Sequence, residues 1–227
     1  MEEVSLKAVA FVPIKLNNER LQNKNILPLG DKPLCWHLLE TLAKIDLLDE
    51  VYVYCSDPRI QEYIPKSVRF LERSTSLDTF SARHYDIVKA FVSAIDADLY
   101  VNAHVTNPFI KAKTIEAGIS AILNEGYDSA CAVSEVREHL WYEGNPFNFT
   151  LDNPPRTQDL VPFYAEVGLF AYRKEVFAET GIRYGRKPYF MMLDKVEAID
   201  INERDDYQLA QALWEVIHSD IEANGGI

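Results

Sequence analysis

The stretch KAVAFVPIKLNNERLQNKN, residues 7–25, carries the strongest fold signal in the chain. After the initial lysine it is an unbroken apolar run as far as Ile14, which is typical of a strand covered on both faces of a parallel sheet. A polar, basic segment without any glycine follows directly. Such sheets bind ligands at the carboxyl ends of their strands. The segment is therefore either an anion-binding loop that lacks the usual glycines or a solvated loop after a strand.

Strand and helix patterns alternate along the rest of the chain. Apolar runs predict further strands at EVYVYC, VRFL, ADLYVNA, YDSACAVSEV, GLFAYR, PYFMML and KVEAIDI. Helical spacing predicts helices at PLCWHLLETLAKI, PRIQEYI, SARHYDIVKAFVSAI, KTIEAGISAILNEG, KEVFAE and ERDDYQLAQALWEVIHSDI. This alternation predicts an α/β protein with a mostly parallel sheet between layers of helices.

The length and composition suit one domain. The chain has 227 residues, of which 48% are hydrophobic, and these are enough for one substantial core spanning residues 1–227. Residues 136–166 depart from the pattern, because they are rich in aromatic residues, Asn and Pro and show no helical period. We expect these residues to form an inserted hairpin or excursion within the domain.

The charge excludes several classes of partner. A net charge of −12 argues against binding to nucleic acid or to an anionic membrane surface. No apolar run approaches the ~20 residues that span a bilayer, and MEEVSLK lacks signal-peptide character, so we expect a cytoplasmic protein. The cysteines, which we expect to be buried free thiols, are Cys35, Cys55 and Cys131.

Familiar cofactor and catalytic motifs are missing from the sequence. It contains no G-x-G-x-x-G, no P-loop, no G-x-S-x-G and no H-E-x-x-H. Polar residues follow four predicted strands, in the opening loop and in CSDPR, NAHVTNPFI and AIDINERDD. Basic side chains in the opening loop and Asp200 at the end of a predicted strand suit an anion and a magnesium ion, and hence nucleotidyl transfer. The alternative is that these residues are solvated strand ends.

Five segments follow one another as the motifs of a known family do. They are VPIKLNNERLQNKNILPLGDKPL, SLDTFSA, HVTNPFI, RTQDLVPFYAEVGLFAY and YFMMLDKVEAIDINERDDYQLAQAL. In order and spacing they resemble the acylneuraminate cytidylyltransferases, the CMP-sialic acid synthetase-like family, over nearly the whole chain. The spelling ERLQNK also resembles the first loop of the Kdo cytidylyltransferases.

The resemblance implies a fold and a reaction. The fold is a three-layer, mostly parallel, Rossmann-like nucleotidyltransferase sheet. In the reaction, the anomeric hydroxyl of a 2-keto sugar acid attacks the α-phosphate of CTP and releases pyrophosphate. The resemblance also implies a homodimer formed through the excursion at residues 136–166.

The resemblance assigns roles to particular residues. The residues assigned to triphosphate binding and catalysis are Lys15, Arg20, Lys24 and Asp200. The residues assigned to nucleotide binding are Val12, Pro13, Lys15, Asn25, Arg73, Ser81 and Thr106. The residues assigned to the sugar acid are His104, Thr106, Asn107, Arg156, Gln158 and Glu166, of which Arg156 and Gln158 would lie near the subunit boundary. The residue assigned as the magnesium ligand is Asp200, with Asn202 as a neutral second ligand.

Several positions depart from the family's pattern. Lys15 replaces an arginine and loses its bidentate fork, and Glu19 places a carboxylate in the phosphate loop. Asn202 replaces a second carboxylate, and Val167 and His104 replace the Asn and Gln that face the sugar acid in the family. These changes leave open a different acid acceptor, such as Kdo or a phosphonate, and a non-catalytic nucleotide-binding protein on the same fold.

Two further expectations concern local structure. Arg73 either contacts cytosine or pairs with the nearby Asp78. In the loop without glycine, Asn17 and Asn18 are the residues expected to tolerate left-handed turns, because asparagine adopts that conformation more readily than most residues.

Overall fold

The computed structural model describes residues 6–79 and 81–223. The strands in this part of the chain are β1 (Ala8–Ile14), β2 (Pro28–Leu29), β3 (Lys32–Pro33), β4 (Glu50–Cys55), β5 (Arg69–Glu72), β6 (Leu99–Ala103), β7 (Ser129–Val136), β8 (Trp141–Tyr142), β9 (Asn145–Pro146), β10 (Phe163–Arg173) and β11 (Pro188–Leu193). The α-helices are α1 (Leu34–Ala43), α2 (His84–Ala94), α3 (Ala112–Asn124), α4 (Lys174–Thr180) and α5 (Arg204–Ala223). Short 3₁₀ helices lie at Lys24–Ile26, Pro58–Tyr63, Thr75–Asp78 and Thr157–Asp159.

Seven of these strands form one sheet, in the order β11-β7-β10-β6-β1-β4-β5. The neighbours pair in parallel except β10, which runs antiparallel to both β6 and β7. The predicted mostly parallel α/β sheet is therefore confirmed. Because β1 lies between β6 and β4, the loops that follow these three strands emerge at one edge of the sheet.

Both faces of the sheet are buried under helices. Along β1, Val12 and Ile14 belong to a core shared with α1 and α3, while Val9 and Phe11 belong to a second core shared with α2 and α4. On the second face Phe11 stacks on Phe91 of α2, with ring centroids 4.1 Å apart. This arrangement explains why β1 is apolar at every position rather than at alternate ones.

Helix α5 packs against residues 29–34, the segment that follows the first loop. Ala210 of α5 packs with Leu29, Leu34 and Ile201 in a third apolar cluster. Gly30 has a φ of +62°, and a Cβ there would lie 2.1 Å from Nε1 of Trp214 on α5. The turn therefore requires glycine both for its backbone conformation and for the close approach of the helix.

The predicted strand KVEAIDI is wrong. Residues 195–203 form a turn and a loop, in which the Asp194 carboxylate accepts the backbone N–H groups of Val196 and Glu197 at 2.9 Å each. This side-chain capping of a turn competes with the extended conformation that the apolar residues favour. Asp200 consequently lies in a loop before α5 and not at the end of a strand.

The excursion contains a short hairpin of β8 and β9, and β10 begins at Phe163, five residues before the predicted GLFAYR strand. That the segment 136–166 serves dimerisation, within a single domain of residues 1–227, stays a prediction. Among the helices of the described residues, none combines the length and the apolar character that crossing a membrane requires.

Candidate active site

Two adjoining pockets lie where β1 and β6 end. The inner pocket has a volume of about 300 Å³ and is lined by Pro13, Ile14, Lys15, Asn18, Lys24, Asn25, Arg73, Leu77, His84, Ile87, His104, Val105, Thr106, Asp200 and Asn202. The outer pocket has a volume of about 320 Å³ and is lined by Lys15, Asn18, Glu19, Arg20, Leu21, Lys24, Thr79, Ala82 and Asn202. The shared residues make the two pockets one polar cleft at the ligand-binding edge of the sheet.

The loop after β1 is shaped by asparagine side chains instead of glycines. Asn25 Nδ2 donates to the backbone oxygen of Lys15 at 2.8 Å, which ties the two ends of the loop together. Asn23 adopts the left-handed conformation, with a φ of 54°, just before the 3₁₀ turn Lys24–Ile26. The expectation that Asn17 or Asn18 would take this role is wrong, since neither has a positive φ. The left-handed residue stands where the chain must turn into the 3₁₀ helix.

Lys24 places its ammonium group at the junction of the two pockets. The residue is 7% exposed, and its Nζ donates to the backbone oxygen of Ile201 at 2.7 Å. Burial lowers its pKa, while the nearby Asp200 opposes that shift. An ammonium group has three N–H donors, so one hydrogen bond fixes its position and leaves donors for an anion in the cleft.

Arg20, Asn202 and Asp200 form a hydrogen-bonded chain near Lys24. Arg20 Nη2 donates to Asn202 Oδ1 at 3.0 Å, and Asn202 Nδ2 donates to Asp200 Oδ2 at 2.7 Å. The Asp206 carboxylate accepts the backbone N–H groups of Asn202 and Glu203, which lowers its pKa and fixes the start of α5. The side-chain amide of Asn202 therefore bridges the guanidinium of Arg20 and the carboxylate of Asp200 at the rim of the cleft.

The donor set at this rim suits a magnesium ion held by one carboxylate. Asp200 is exposed and commits one oxygen to Asn202, whereas the oxygen of Asn202 is already taken by Arg20. Across residues 6–79 and 81–223, no group of three or more His, Cys, Asp or Glu side chains is placed to hold a metal. Magnesium is commonly bound by one or two carboxylates together with substrate phosphates and water. The arrangement fits that mode with Asp200 as the protein ligand, and it leaves Asn202 as its support.

Arg73 is buried beneath the inner pocket, at 3% exposure. Its Nη2 donates to the backbone oxygen of Ile14 at 3.1 Å and to Asp78, whose other oxygen accepts the hydroxyl of Ser56. Its guanidinium also lies over the ring of Tyr54, 5.7 Å from the centroid. The expected pair with Asp78 is present, and Arg73 Nε has no partner in the described chain. The residue lines the pocket, and its hydrogen bonds within the described chain involve Nη2 alone.

His104 forms the far wall of the inner pocket, where β10 has a bulge between Glu166 and Phe170. The His104 backbone N–H donates to the oxygen of Gly168 at 2.8 Å, and a Cβ on Gly168 would lie 2.6 Å from His104 Nδ1. Burial, together with His84 and Arg183, lowers the pKa of His104 to about 3. The imidazole is therefore neutral at physiological pH.

A second histidine, His84, lines the inner pocket and contacts an arginine, Arg183, and sequence reasoning missed both. His84 Nε2 lies 2.8 Å from Oδ1 of the fully buried Asn102, and Arg183 contacts both groups. Asn102 has a signal in the sequence, because it is a polar residue inside the strand ADLYVNA. The loop GIRYGRK contains nothing that distinguishes Arg183 from its exposed neighbour Arg186.

The remaining predicted residues fall into three groups. Thr106 lines the inner pocket, and Asn107 lies fully buried behind it, where its Nδ2 holds the backbone oxygen of Ile199 at 3.0 Å. Residues of the prediction that line neither pocket are Val12, Ser81, Arg156, Gln158 and Glu166. Val12 belongs to the core, and the other four are exposed.

Arg156 is engaged elsewhere in this chain, because it pairs with Asp159 at 2.8 and 3.1 Å. Glu19, the unexpected carboxylate of the loop, lies in the wall of the outer pocket. Among the described residues it makes no ion pair within 4.0 Å, so it does not neutralise the cations around it.

Solved structures place the fold in a class. It is similar to a CMP:2-keto-3-deoxy-manno-octonic acid synthetase complexed with CTP, with a TM-score of 0.67, 15% identity, and coverage of 94% of this chain and 99% of that one. It is also similar to the 4-diphosphocytidyl-2C-methyl-D-erythritol synthase of Anaerococcus prevotii, with a TM-score of 0.67, 12% identity, and coverage of 93% and 97%. The chain therefore shares its fold with these two enzymes.

The family follows from the sequence match. The chain belongs to the cytidylyltransferase family, whose model matches residues 9–213. It is 26% identical over 214 residues to an N-acylneuraminate cytidylyltransferase of Streptococcus agalactiae, covering 89% of this chain and 52% of that protein. It is 22% identical over 189 residues to a 3-deoxy-manno-octulosonate cytidylyltransferase of Escherichia coli, covering 75% and 74%. The chain thus spans about half the length of the N-acylneuraminate relatives, and the predicted family is confirmed.

Proposed function

We propose that the protein is a cytidylyltransferase that joins CMP from CTP to a 2-keto sugar acid and releases pyrophosphate. The observation that carries the proposal is the convergence of Lys15, Arg20 and Lys24 beside Asp200 in one cleft at the end of β1. In a protein of net charge −12, three cations gathered at a ligand-binding edge define a local site for a polyanion. The family match supports the choice of a nucleotide as that polyanion.

The chain's own residues position and stabilise the triphosphate. Lys24, held by the Ile201 oxygen, donates its remaining N–H groups to phosphate oxygens, and Lys15 and Arg20 neutralise the outer phosphates. Because Lys24 is buried, its charge acts with little screening from water. Magnesium bound at Asp200 would neutralise further phosphate charge and so favour departure of pyrophosphate.

The nucleoside lies in the inner pocket in this proposal. Asn25 shapes the pocket through the Lys15 oxygen, while Pro13 and Thr106 line its wall. Arg73 lines this pocket, and its hydrogen bonds within the described chain involve Nη2 alone, so its other N–H groups are the proposed donors to cytosine. Its pair with Asp78 holds the guanidinium in place for that contact. Ser81, which is exposed, would reach the nucleotide only after movement of its loop.

The acceptor is proposed to be a sugar acid of the sialic acid type, with Kdo as the second candidate. The similarity to N-acylneuraminate cytidylyltransferases supports the first, and the similarity to 3-deoxy-manno-octulosonate cytidylyltransferases supports the second. Two positions expected to face the acid differ from the family pattern, since Val167 is buried in the core and His104 is a neutral imidazole. These differences tune the choice of acid and leave the phosphate cleft intact.

A homodimer is part of the proposal. The excursion exposes a group of large apolar side chains, namely Trp141, Tyr142, Phe147, Leu151 and Val161. Large exposed apolar patches mark interaction surfaces. The excursion also carries Arg156 and Gln158, which do not reach the pockets of their own chain and would serve the site of the second copy.

A screen for pyrophosphate release tests the proposed function. CTP, ATP, GTP and UTP are combined in turn with magnesium and N-acetylneuraminate, legionaminate, pseudaminate or Kdo. We expect release with CTP and at least one acid, and loss of release in Lys24→Ala but not in the exposed control Lys66→Ala. Binding of CTP without release with any acid would favour the non-catalytic alternative, and failure to bind CTP would contradict both.

A further inference from the structure

A half-buried arginine, Arg183, contacts His84, which lines the inner pocket. Arg183 lies in the loop between α4 and β11, its side chain is 17% exposed, and its guanidinium carbon is 3.5 Å from the ring centroid of Phe170. The loop is fixed on the far side of Arg183, because the Gly185 N–H donates to Ser129 Oγ at 2.9 Å and the Arg186 N–H to Asp128 Oδ2 at 2.7 Å. The guanidinium is therefore held in a defined position.

The guanidinium group lacks a close anionic partner. Its Nη1 lies 3.1 Å from His84 Nε2 and 3.2 Å from Asn102 Oδ1, and its Nη2 lies 3.9 Å from the carboxylate of Glu166. The described chain provides it with no other hydrogen bond. A guanidinium has five N–H donors, and a charge with so little exposure is normally paired. Arg183 therefore has binding capacity that the chain itself does not use.

The position of this group relative to the phosphate site follows from the sheet. Phe170 pairs with Asn102 across β10 and β6, whereas Lys15 and Lys24 follow β1 on the other side of β6. His84 and His104 line the inner pocket between the two cationic regions, with ring centroids 5.1 Å apart. The lysines thus lie at one end of the inner pocket, its lysine end. Arg183 lines a smaller neighbouring pocket of about 140 Å³, which shares His84 with the inner pocket.

We propose that Arg183 binds the carboxylate of the acceptor acid, and thereby sets the specificity of the site for an acid. This inference rests on the proposed function. In a 2-keto sugar acid the carboxylate is attached to the carbon that carries the reacting hydroxyl. A bidentate contact to the carboxylate therefore also orients the hydroxyl toward a phosphate at the lysine end.

The charges around the pocket favour Arg183 over the other residues considered for the acid. Burial lowers the pKa of His84 and of His104, so both imidazoles are neutral and cannot balance a carboxylate. Arg156 is exposed and already paired with Asp159. Glu166 is 48% exposed and only loosely associated with Arg183, so it can move aside when the acid binds.

Kinetics of two variants and a matched control test the inference. Arg183→Gln removes the charge, Arg183→Lys keeps the charge without the fork, and Arg186→Gln changes an exposed arginine three residues away. We expect Arg183→Gln to raise the KM for the acid by about 10-fold or more, the usual effect of losing a charged hydrogen bond. Arg183→Lys should recover part of this loss, and Arg186→Gln should match the parent. The KM for CTP should stay within about twofold in all three variants, since the phosphate cleft is untouched.

A second measurement separates recognition of the carboxylate from a structural role. Each protein is assayed with the preferred acid and with its carboxamide analogue. The parent should prefer the acid, and Arg183→Gln should lose that preference while keeping its melting temperature and its calorimetric affinity for CTP. An unchanged acid-to-amide ratio in Arg183→Gln would overturn the inference, and so would an unchanged KM for the acid.

The inference and the proposed function can fail separately. If the parent releases pyrophosphate and Arg183→Gln leaves the KM for the acid unchanged, the inference is wrong and the proposed function stands. If the parent releases none, calorimetry with N-acetylneuraminate and with Kdo, in the presence of a non-hydrolysable CTP analogue, still decides. Binding of an acid to the parent but not to Arg183→Gln supports the carboxylate site. Equal binding of the acid to both proteins overturns it, and so does a parent protein that binds neither acid.

Discussion

At the scale of single residues, the cleft shows how a phosphate loop is built without glycine. Asn23 supplies the left-handed turn and Asn25 closes the loop through the Lys15 oxygen. The basic character of this loop and the importance of Lys24 could be predicted from the sequence, because cations after a buried strand are readily recognised. The role of Asn202 as a bridge between Arg20 and Asp200 could not be predicted, since it depends on a contact across 182 positions.

Replacement of Lys24 tests the phosphate site. Lys24→Ala removes the buried ammonium group and its hydrogen bond to the Ile201 oxygen. We expect CTP affinity to fall by about 10- to 100-fold, the range for loss of a hydrogen bond to a charged group. Isothermal titration calorimetry with CTP measures this change, and Lys66→Ala, an exposed position, is the control. An affinity within twofold of the parent would show that Lys24 does not contact the nucleotide.

His104 gives a pH dependence of stability. Its pKa of about 3 in the folded protein lies below the ordinary value of 6.5, so the unfolded chain binds more protons between these values. The contribution of this histidine to stability is fully present above about pH 6.5 and is lost as the pH falls toward 3.

Between pH 7 and pH 5 the loss from His104 alone is roughly 2 kcal/mol. His104→Gln should reduce the fall in unfolding free energy over this interval by a similar amount. Urea unfolding at the two pH values measures it, with His218→Gln, at an exposed position of α5, as the control. An equal fall in parent and His104→Gln would show that the folded imidazole is protonated normally.

At the scale of elements, the bulge of β10 shapes the wall of the cleft. The strand is antiparallel in a mostly parallel sheet, and its irregular residues bring Gly168 against His104. Most strands and helices could be predicted, because their apolar residues repeat with the period of their structure. The KVEAIDI segment could not, because side-chain capping by Asp194 overrides its apolar pattern. Arg183 was missed for a related reason, since its burial depends on the packing of a loop on Phe170.

Gly168→Ala tests this close approach. The added methyl would lie 2.6 Å from His104 Nδ1 and 2.8 Å from Asn107 Oδ1, so these side chains would have to shift. We expect a loss of about 1–3 kcal/mol in unfolding free energy, as for other overpacked sites. Thermal unfolding measures the loss.

Gly118→Ala in α3 is the comparison for that variant, because its methyl meets the flexible thioether of Met191 and alanine favours a helix. It should therefore lose less stability than Gly168→Ala. Equal stability of Gly168→Ala and the parent would contradict the described packing around His104.

Across the whole molecule, the basic cleft and the exposed apolar surface lie in different parts of the chain. The protein has a net charge of −12, its cleft gathers basic side chains, and the excursion carries exposed aromatic residues. Composition and pattern predict the fold class and the position of the excursion, and they argue against a nucleic acid partner. Which surface another copy of the chain covers depends on shape, which no sequence pattern supplies.

Removal of apolar surface tests the dimer. Phe147→Asp places a charge in the exposed group of the excursion, and Leu209→Asp places one at a separate exposed position of α5. We expect the parent and Leu209→Asp to sediment as dimers and Phe147→Asp to shift toward monomer, because an unpaired charge is costly in an apolar interface. A monomeric parent in analytical ultracentrifugation would contradict the proposed assembly.

The central claim is that the cleft transfers CMP from CTP to a sugar acid. Mass spectrometry of the products tests it most directly, after incubation of the parent protein with CTP, magnesium, and N-acetylneuraminate or Kdo. We predict a product with the mass of CMP joined to the acid, formed with one pyrophosphate per product and absent in Lys24→Ala. Unchanged CTP, or its breakdown to free CMP without any joined product from either acid, would contradict the account.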